Sequence, residues 1–189
     1  EQTEIFSRCH PCKSSPVMRE KNRIITQKLG EAFGHHPAVI GWQIDNEIFP
    51  YGEGCYCPNC RAGFHAYLKE KYGTVGALNK AWGMARWSLT YRSFEEIVPP
   101  VHGRWEHPSL MTEWIRFHNK NIISYVNEQA DILHRCSDAP VGTDMMATGL
   151  LPYYDTNEKL DVVQYNHYEP AAELPRTAFA YDFLRTVKD

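Results

Sequence analysis

Hydrophobic and polar positions along the chain switch between helical and strand-like spacing. Apolar residues recur at helical spacing after Ser15-Pro16, where a capping residue and a first-turn proline start a predicted helix that Gly34 ends. A short apolar run over 38–44 follows a turn signal and predicts a strand buried on both faces. The same patterns predict helices over 58–72, 75–82 and 108–136 and from near 177, and strands over 139–143 and 160–165.

The order of these elements indicates a fold class. Strands separated by helices of ten or more residues are typical of parallel βαβ units. Because a closed eight-stranded barrel needs about 250 residues, the 189 residues predict an α/β fold that is part of a (β/α)8 TIM barrel. Residues 1–189 are then expected to be a central fragment of a catalytic domain that lacks its true N-terminus, with 84–107 crossing the barrel mouth. An open doubly wound sheet is the competing architecture, but no Gly-rich phosphate loop follows a strand.

Composition narrows the classes of partner. Aromatic residues make up 13% of the chain, including five Trp and eleven Tyr, which suits either sugar stacking or core packing. A net charge of −3 without a block of like charges argues against nucleic acid as a partner. No run of about 18 apolar residues and no basic-then-apolar leader is present, which predicts a cytoplasmic protein that does not span a membrane.

Two carboxylates and an amide follow the first predicted strand, as Asp45-Asn46-Glu47. In a parallel barrel the carboxyl ends of the strands form the catalytic mouth. Glycosidic cleavage needs one carboxylic acid to protonate the departing oxygen and a second carboxylate to attack or to activate water, while an adjacent amide can bind a sugar hydroxyl. The alternative is that these polar residues only cap a strand end and face solvent.

Three cysteines lie within six residues, as Cys55, Cys57 and Cys60. Thiols at this spacing before a helix suit a tetrahedral structural zinc site, with Cys9 or Cys12 as the candidate for a fourth ligand. Disulfides are the alternative, although neighbouring half-cystines rarely bridge without strain. Cys136 is predicted to be an isolated thiol, and the nine His are predicted to be surface or packing residues.

An ordered series of motifs resembles the β-galactosidases of glycoside hydrolase family 42. The motifs read SPVMRE at 15–20, GWQIDNE at 41–47, CYCPNC at 55–60 and LNKAWG at 78–83. The resemblance implies that Glu47 is the acid/base of a retaining mechanism, that Asn46 binds the sugar and that Trp87 forms a wall of the galactose subsite. It also implies a structural zinc bound by Cys55, Cys57, Cys60 and Cys12, within the region 9–60.

The resemblance further implies a parent enzyme that hydrolyses terminal β-D-galactosides and assembles as a homotrimer. The family's nucleophile is a Glu on a later strand, and neither Glu169 nor Glu173 matches its context, so the nucleophile is expected outside this chain and the fragment alone is expected to be inactive. Arabinosides and fucosides are related alternative substrates. A zinc-stabilised carbohydrate-binding or interaction module without catalysis is the alternative from another class.

Overall fold

The computed structural model describes residues 11–48, 54–100, 106–146, 151–168 and 170–188, except for the side chains of Trp87, Met146 and Ala171. Its elements are helices and parallel strands. The α-helices are α1 (Pro16–Phe33), α2 (Pro58–Tyr72), α3 (Val75–Trp82), α4 (Pro108–Cys136), α5 (Tyr153–Asn157) and α6 (Leu174–Arg185). The strands are β1 (Trp42–Ile44), β2 (Val141–Met146) and β3 (Val162–Asn166), and short 310 helices span Arg86–Ser88, Phe94–Glu96 and Ala171–Glu173.

The three strands form one parallel sheet in the order β1-β2-β3. Ile44 lies opposite Thr143 in the β1–β2 pair, and Met146 lies opposite Asn166 in the β2–β3 pair. Because all three strands run in the same direction, the residues that follow β1 and those that end β2 and β3 lie at one edge of the sheet. Polar residues from these three places can therefore meet.

Local sequence signals locate most helix ends. Thr74 Oγ1 accepts a hydrogen bond from the backbone N–H of Ala77 and caps α3, which Gly83 ends in a left-handed conformation with φ of 67°. α6 begins three residues before the predicted Thr177, and β2 extends three residues beyond its predicted end. α5 was not predicted, because five residues are too few to show a helical period.

The first strand is shorter and less buried than predicted. Only Trp42–Ile44 pairs with β2, and within it Trp42 is half-buried, Gln43 exposed and Ile44 buried. Ile40, which was predicted to lie inside a strand buried on both faces, is 88% exposed. The residues before the strand form a turn instead, in which the N–H of Val39 donates to the carbonyl of His36. Apolar composition alone does not distinguish such a turn from a buried strand.

Helix α1 is where the sequence predicts it, but its large apolar side chains do not form the buried face. Ile25, Leu29 and Phe33 are exposed, whereas Thr26 and Gly30 are buried. A Cβ atom on Gly30 would lie 2.8 Å from the Cβ of Cys136, so α1 approaches the end of α4 at a position that only glycine allows.

The chain divides into two compact units. Unit 1 comprises Glu1–Ser15 and Tyr51–Lys120, and unit 2 comprises Pro16–Pro50 and Asn121–Asp189. α4 contributes its first residues to unit 1 and the rest to unit 2. No helix among the described residues is both long enough and apolar enough to cross a membrane.

Each unit has an apolar core of its own. In unit 1 the rings of Phe64 and Trp114 meet edge to face at 5.0 Å, and both side chains are fully buried. Fully burying one such side chain stabilises a fold by about 2 kcal/mol. The core of unit 2 joins the sheet to α4 and α6, and its fully or almost fully buried residues include Ile44, Tyr125, Val126, Val141, Met145 and Leu160.

Candidate functional site

The loop that follows β1 has an unusual backbone. Asp45 and Glu47 both adopt left-handed conformations, with φ of 55° and 47°, on either side of Asn46. The Cβ atom of any residue other than glycine makes this region unfavourable, and such residues cost about 1–3 kcal/mol each and concentrate at functional sites. The surrounding contacts must therefore hold this turn in place.

Asp45 supplies several of those contacts. Its Oδ1 accepts a hydrogen bond of 2.8 Å from the backbone N–H of Asn46, and its carbonyl accepts one of 3.1 Å from the side-chain amide of Gln43. Its carboxylate also accepts from Tyr125, and burial followed by this negative charge raises the pKa of that phenol. Asp45 thus stabilises the turn, while the side chain of Asn46 is exposed.

Glu47 turns towards the sheet and is only 7% exposed. The amide Nδ2 of Asn166, the last residue of β3, donates a hydrogen bond of 2.8 Å to Glu47 Oε1. The same nitrogen donates a second bond of 2.8 Å to Asp144 Oδ2, which belongs to the central strand β2 and is 8% exposed. Residues from all three strand ends therefore meet at one edge, and we call Glu47, Asp144 and Asn166 the carboxylate–amide site.

The two carboxyl groups of this site influence one another. Burial raises the pKa of Asp144, the hydrogen bond from Asn166 lowers it, and the negative charge of Glu47 raises it again, with a net rise. Two carboxyl groups that share one amide nitrogen disfavour double ionisation. The arrangement is suited to storing and moving a proton.

Sequence reasoning missed Asp144 and Asn166. A usable signal was present, because Asp144 directly follows the predicted strand 139–143 and Asn166 directly follows the predicted strand 160–165. The rule that selected Glu47, a polar residue at the carboxyl end of a buried strand, selects both of them. Of the two late acids that were considered, Glu173 is exposed in a 310 helix and Glu169 lies outside the described residues.

A second site lies in unit 1, where the ligand atoms of Cys12, Cys55, Cys57 and Cys60 lie within 4.8 Å of one another. Cys12 Sγ is 3.5 Å from Cys57 Sγ and 3.3 Å from Cys60 Sγ, and all four are free thiols rather than disulfides. Sulfurs bound at 2.3 Å around a tetrahedral zinc ion are about 3.8 Å apart, so the donor set and its spacing fit that metal. Cys9, the other candidate, lies outside the described residues.

Local structure explains why the thiols converge. Cys57 is the N-cap of α2, Pro58 begins the helix and Cys60 lies in its first turn, where the helix dipole favours negative charge. Hydrogen bonding with Cys55, together with burial, raises the pKa of Cys12 to about 11, and bonds with Cys12 and Cys55 raise that of Cys60. Four clustered thiols therefore resist full ionisation unless a cation compensates their charge.

Gly54 and His118 position the loop that leads into this cluster. Gly54 has φ of 100°, and a Cβ on it would overlap the ring of His118. That ring packs edge to face on Trp114 at 4.4 Å, and burial lowers the pKa of His118 to about 4. His118 is thus a neutral packing residue, in line with the interpretation of the histidines from sequence.

Trp87 and Cys136, which were also singled out in the sequence, belong to neither of these sites. Trp87 lies in the 310 helix Arg86–Ser88, but its side chain lies outside the described part of the chain. Cys136 is a free thiol at the end of α4 that packs against Gly30.

Comparison with known proteins identifies related sequences and structures. A family model described as "Beta-galactosidase", of glycoside hydrolase family 42, matches residues 1–189. The β-galactosidase BglY of Alicyclobacillus acidocaldarius is 36% identical over 93% of this chain and 27% of its own length. The β-galactosidase Pbg of Clostridium perfringens is 39% identical over 83% of this chain and 23% of its own length. The chain therefore spans about a quarter of these relatives.

A solved structure of a β-galactosidase also resembles this chain. A β-galactosidase from Bacillus circulans sp. alkalophilus superposes with a TM-score of 0.88 at 32% identity, covering 98% of this chain and 29% of that one. Structural neighbours of this kind are (β/α)8-barrel enzymes, and the predicted fold class, part of such a barrel, is confirmed.

Proposed function

Because the chain belongs to the β-galactosidases of glycoside hydrolase family 42, we propose that it is the central part of a catalytic barrel that hydrolyses terminal β-D-galactosides. The observation that supports this most directly is the carboxylate–amide site. It presents a buried carboxyl group, Glu47, on a strained turn at the carboxyl edge of a parallel sheet, where barrel enzymes perform their chemistry.

Glu47 is proposed as the acid/base of a retaining double displacement. Its carboxylic acid gives a proton to the glycosidic oxygen as the bond to the anomeric carbon breaks, and a second carboxylate forms a bond to that carbon. Glu47 then takes a proton from water, whose oxygen displaces the second carboxylate and releases galactose. Each cycle returns the proton to Glu47, so atoms and charge balance.

The attacking carboxylate is proposed to be a Glu outside this chain. Asp144 is the other buried carboxyl group near Glu47, but it lies on β2 and its Oδ2 accepts a hydrogen bond from Asn166, whereas the family resemblance assigns the nucleophile to a Glu on a later strand. Retaining enzymes place their two carboxyl groups about 5–5.5 Å apart. The fragment alone is therefore proposed to lack the covalent step.

Two further residues are proposed to contact substrate. The exposed amide of Asn46 directly precedes Glu47, which suits a hydrogen bond to a sugar hydroxyl beside the scissile bond. Trp87 is proposed, from the family resemblance, as a wall of the galactose subsite. The parent enzyme is proposed to be a homotrimer on the same ground, and its proposed location is the cytoplasm.

The four cysteines are proposed to hold one zinc ion. Zinc bound by four thiolates has no open position for water, so it would supply structural rather than chemical support. It would tie the segment that carries Cys12 to the loop and helix start that carry Cys55, Cys57 and Cys60. The proposed zinc-binding region is 9–60.

The substitution Glu47→Gln in the full-length protein that carries this chain tests the acid/base role. General acid catalysis contributes about 10²–10⁴-fold, and its contribution is greatest for leaving groups that need a proton. We expect kcat/KM for phenyl β-galactoside to fall by about that factor, and kcat/KM for the 2,4-dinitrophenyl galactoside to fall much less. In Glu47→Ala, azide is expected to restore turnover and to yield β-galactosyl azide.

The matched control is Glu158→Gln, which neutralises an exposed carboxylate in the turn after α5. It is expected to retain the activity of the unmodified protein on both substrates. If Glu47→Gln kept full activity on the phenyl galactoside, the acid/base assignment would be wrong, and a non-catalytic carbohydrate-binding module would account better for the acids at these strand ends.

A further inference from the structure

Asn166 occupies a position from which it can control the orientation of Glu47. It is the last residue of β3 and pairs in register with Met146 of β2. Asp144 lies two residues before Met146, and alternate residues of a strand share a face. Asn166 and Asp144 therefore project from the same face of neighbouring strands, and Glu47 reaches the same edge from the turn after β1.

The two hydrogen bonds of Asn166 allow only one orientation of its side-chain amide. One nitrogen has two hydrogens, and Asn166 Nδ2 donates one to Glu47 Oε1 and the other to Asp144 Oδ2, each over 2.8 Å. A flipped amide would direct its carbonyl oxygen at two carboxyl oxygens instead, replacing two attractive contacts by two repulsive ones. Asp144 therefore determines which end of the Asn166 amide faces Glu47.

We infer that Asn166 is a positioning residue for the acid/base, oriented by Asp144, and that it assigns the transferred proton to Oε2 of Glu47. In a carboxylic acid the carbonyl oxygen accepts hydrogen bonds better than the hydroxyl oxygen, so the bond from Asn166 to Oε1 favours the proton on Oε2. The inference rests on the proposed function of Glu47 and extends it to one oxygen atom.

Two of the three residues are almost fully buried, and Asn166 is half-buried. Glu47 is 7% exposed and Asp144 is 8% exposed, so water competes little for their oxygens. Rotation of the Glu47 carboxyl group would break the bond to Asn166 without a replacement from solvent. Loss of catalytic alignment by about 1 Å costs about a hundredfold in rate, so an amide that prevents this rotation has a measurable effect.

The test compares two leaving groups in the full-length protein. Asn166→Ala removes the amide, and Asn166→Asp keeps its shape but replaces the donor with a carboxylate. We expect kcat/KM for phenyl β-galactoside to fall by about tenfold to a hundredfold in both variants. For 2,4-dinitrophenyl β-galactoside, whose leaving group needs no proton, kcat/KM is expected to change by less than about threefold. Using two variants protects the test against the failure of one to fold.

Asn157→Ala is the matched structural control. Its amide is buried in the same unit and donates to the carbonyl of Tyr153 and to Met145 Sδ. Any loss in this variant is expected to be equal for the two substrates. Equal losses for both substrates in the Asn166 variants, or no loss, would overturn the positioning role. If the loss depended on the leaving group in Glu47→Gln but not in the Asn166 variants, only this inference would be overturned. If the loss in Glu47→Gln did not depend on the leaving group, the proposed function would be overturned.

Discussion

Two buried carboxyl groups, Glu113 in unit 1 and Asp144 in unit 2, differ in the groups around them and in the direction in which their pKa is shifted. In unit 1, Glu113 is 3% exposed and accepts hydrogen bonds from Lys71 Nζ at 2.8 Å, from Tyr67 at 2.5 Å and from Arg116 at 2.8 Å. Burial opposes its ionisation, but the hydrogen bond from Lys71 and those from Tyr67 and Arg116 lower its pKa overall. In unit 2, burial and the neighbouring Glu47 raise the pKa of Asp144.

The difference separates a structural acid from the acids of a site. Glu113 has two cationic partners and a phenol, so its charge stabilises the packing of α2 against the start of α4. Asp144 and Glu47 both accept a hydrogen bond from one neutral amide nitrogen, and the charge of Glu47 raises the pKa of Asp144. The four thiols of unit 1 follow the structural pattern if a metal compensates them.

The largest expected effect concerns the four clustered thiols of unit 1 and the metal proposed to compensate their charge. Replacing Cys60→Ser removes one of four clustered thiols, and we expect loss of bound zinc and a fall of several kcal/mol in the free energy of unfolding of unit 1. Zinc contributes about 10–16 kcal/mol to small zinc fingers, and unit 1 has an apolar core besides. Elemental analysis after chelator-free purification measures the zinc, and amide hydrogen exchange in α2 measures the stability.

Cys136→Ser is the matched control, since Cys136 is a free thiol at the end of α4. It is expected to keep about one zinc ion per chain and normal exchange in α2. Absence of zinc from the unmodified protein would contradict the metal site altogether.

A smaller effect is expected from Glu113→Gln, which removes the charge that Lys71 and Arg116 compensate. Hydrogen bonds to charged groups contribute about 1.5–3 kcal/mol, so the free energy of unfolding of unit 1 is expected to fall by about 2 kcal/mol at pH 7. Because the folded pKa of Glu113 lies below its unfolded value of about 4.3, its contribution is present above that pH and is lost as the pH falls through the folded pKa. Urea unfolding followed by Trp fluorescence at pH 7 and below pH 4 measures the difference, and a pH-independent difference would argue against the ionised state.

The smallest effect, with the opposite sign, is expected from Asp144→Asn. The folded pKa of Asp144 is raised above its unfolded value of about 3.9, so the contribution of this group to stability is fully present below that pH and is lost as the pH rises through the folded pKa. Asparagine carries no charge and still offers an oxygen to Asn166, so the variant is expected to be more stable than the unmodified protein at pH 7. The gain should vanish below about pH 4. Amide hydrogen exchange in β2 measures it, and destabilisation at pH 7 would show that Asp144 is a structural acid like Glu113.

Much of the local structure was predictable because its causes lie close together in the chain. The proline at the start of α1 and α2, the Thr74 cap and the glycine at the end of α3 each act within a few residues. Burial was less predictable. The exposed Ile25 and Leu29 of α1 show that apolar spacing identifies a helix without identifying the face that packs, since the close approach at Gly30 determines that face.

The sequence by itself determined the order of the three strands and of every helix except α5 and the short 310 helices, the acid at the end of the first strand and three of the clustered thiols. These features depend on residue type and on short spacing, which the chain carries whatever its fold. Only the tertiary structure brought Asn166 to Glu47, from 119 residues away, and Asp144 to Asn166, from 22 residues away. The physical reason is strand pairing: the register of three parallel strands determines which polar residues meet at the edge of the sheet, and that register joins segments that lie far apart in the sequence.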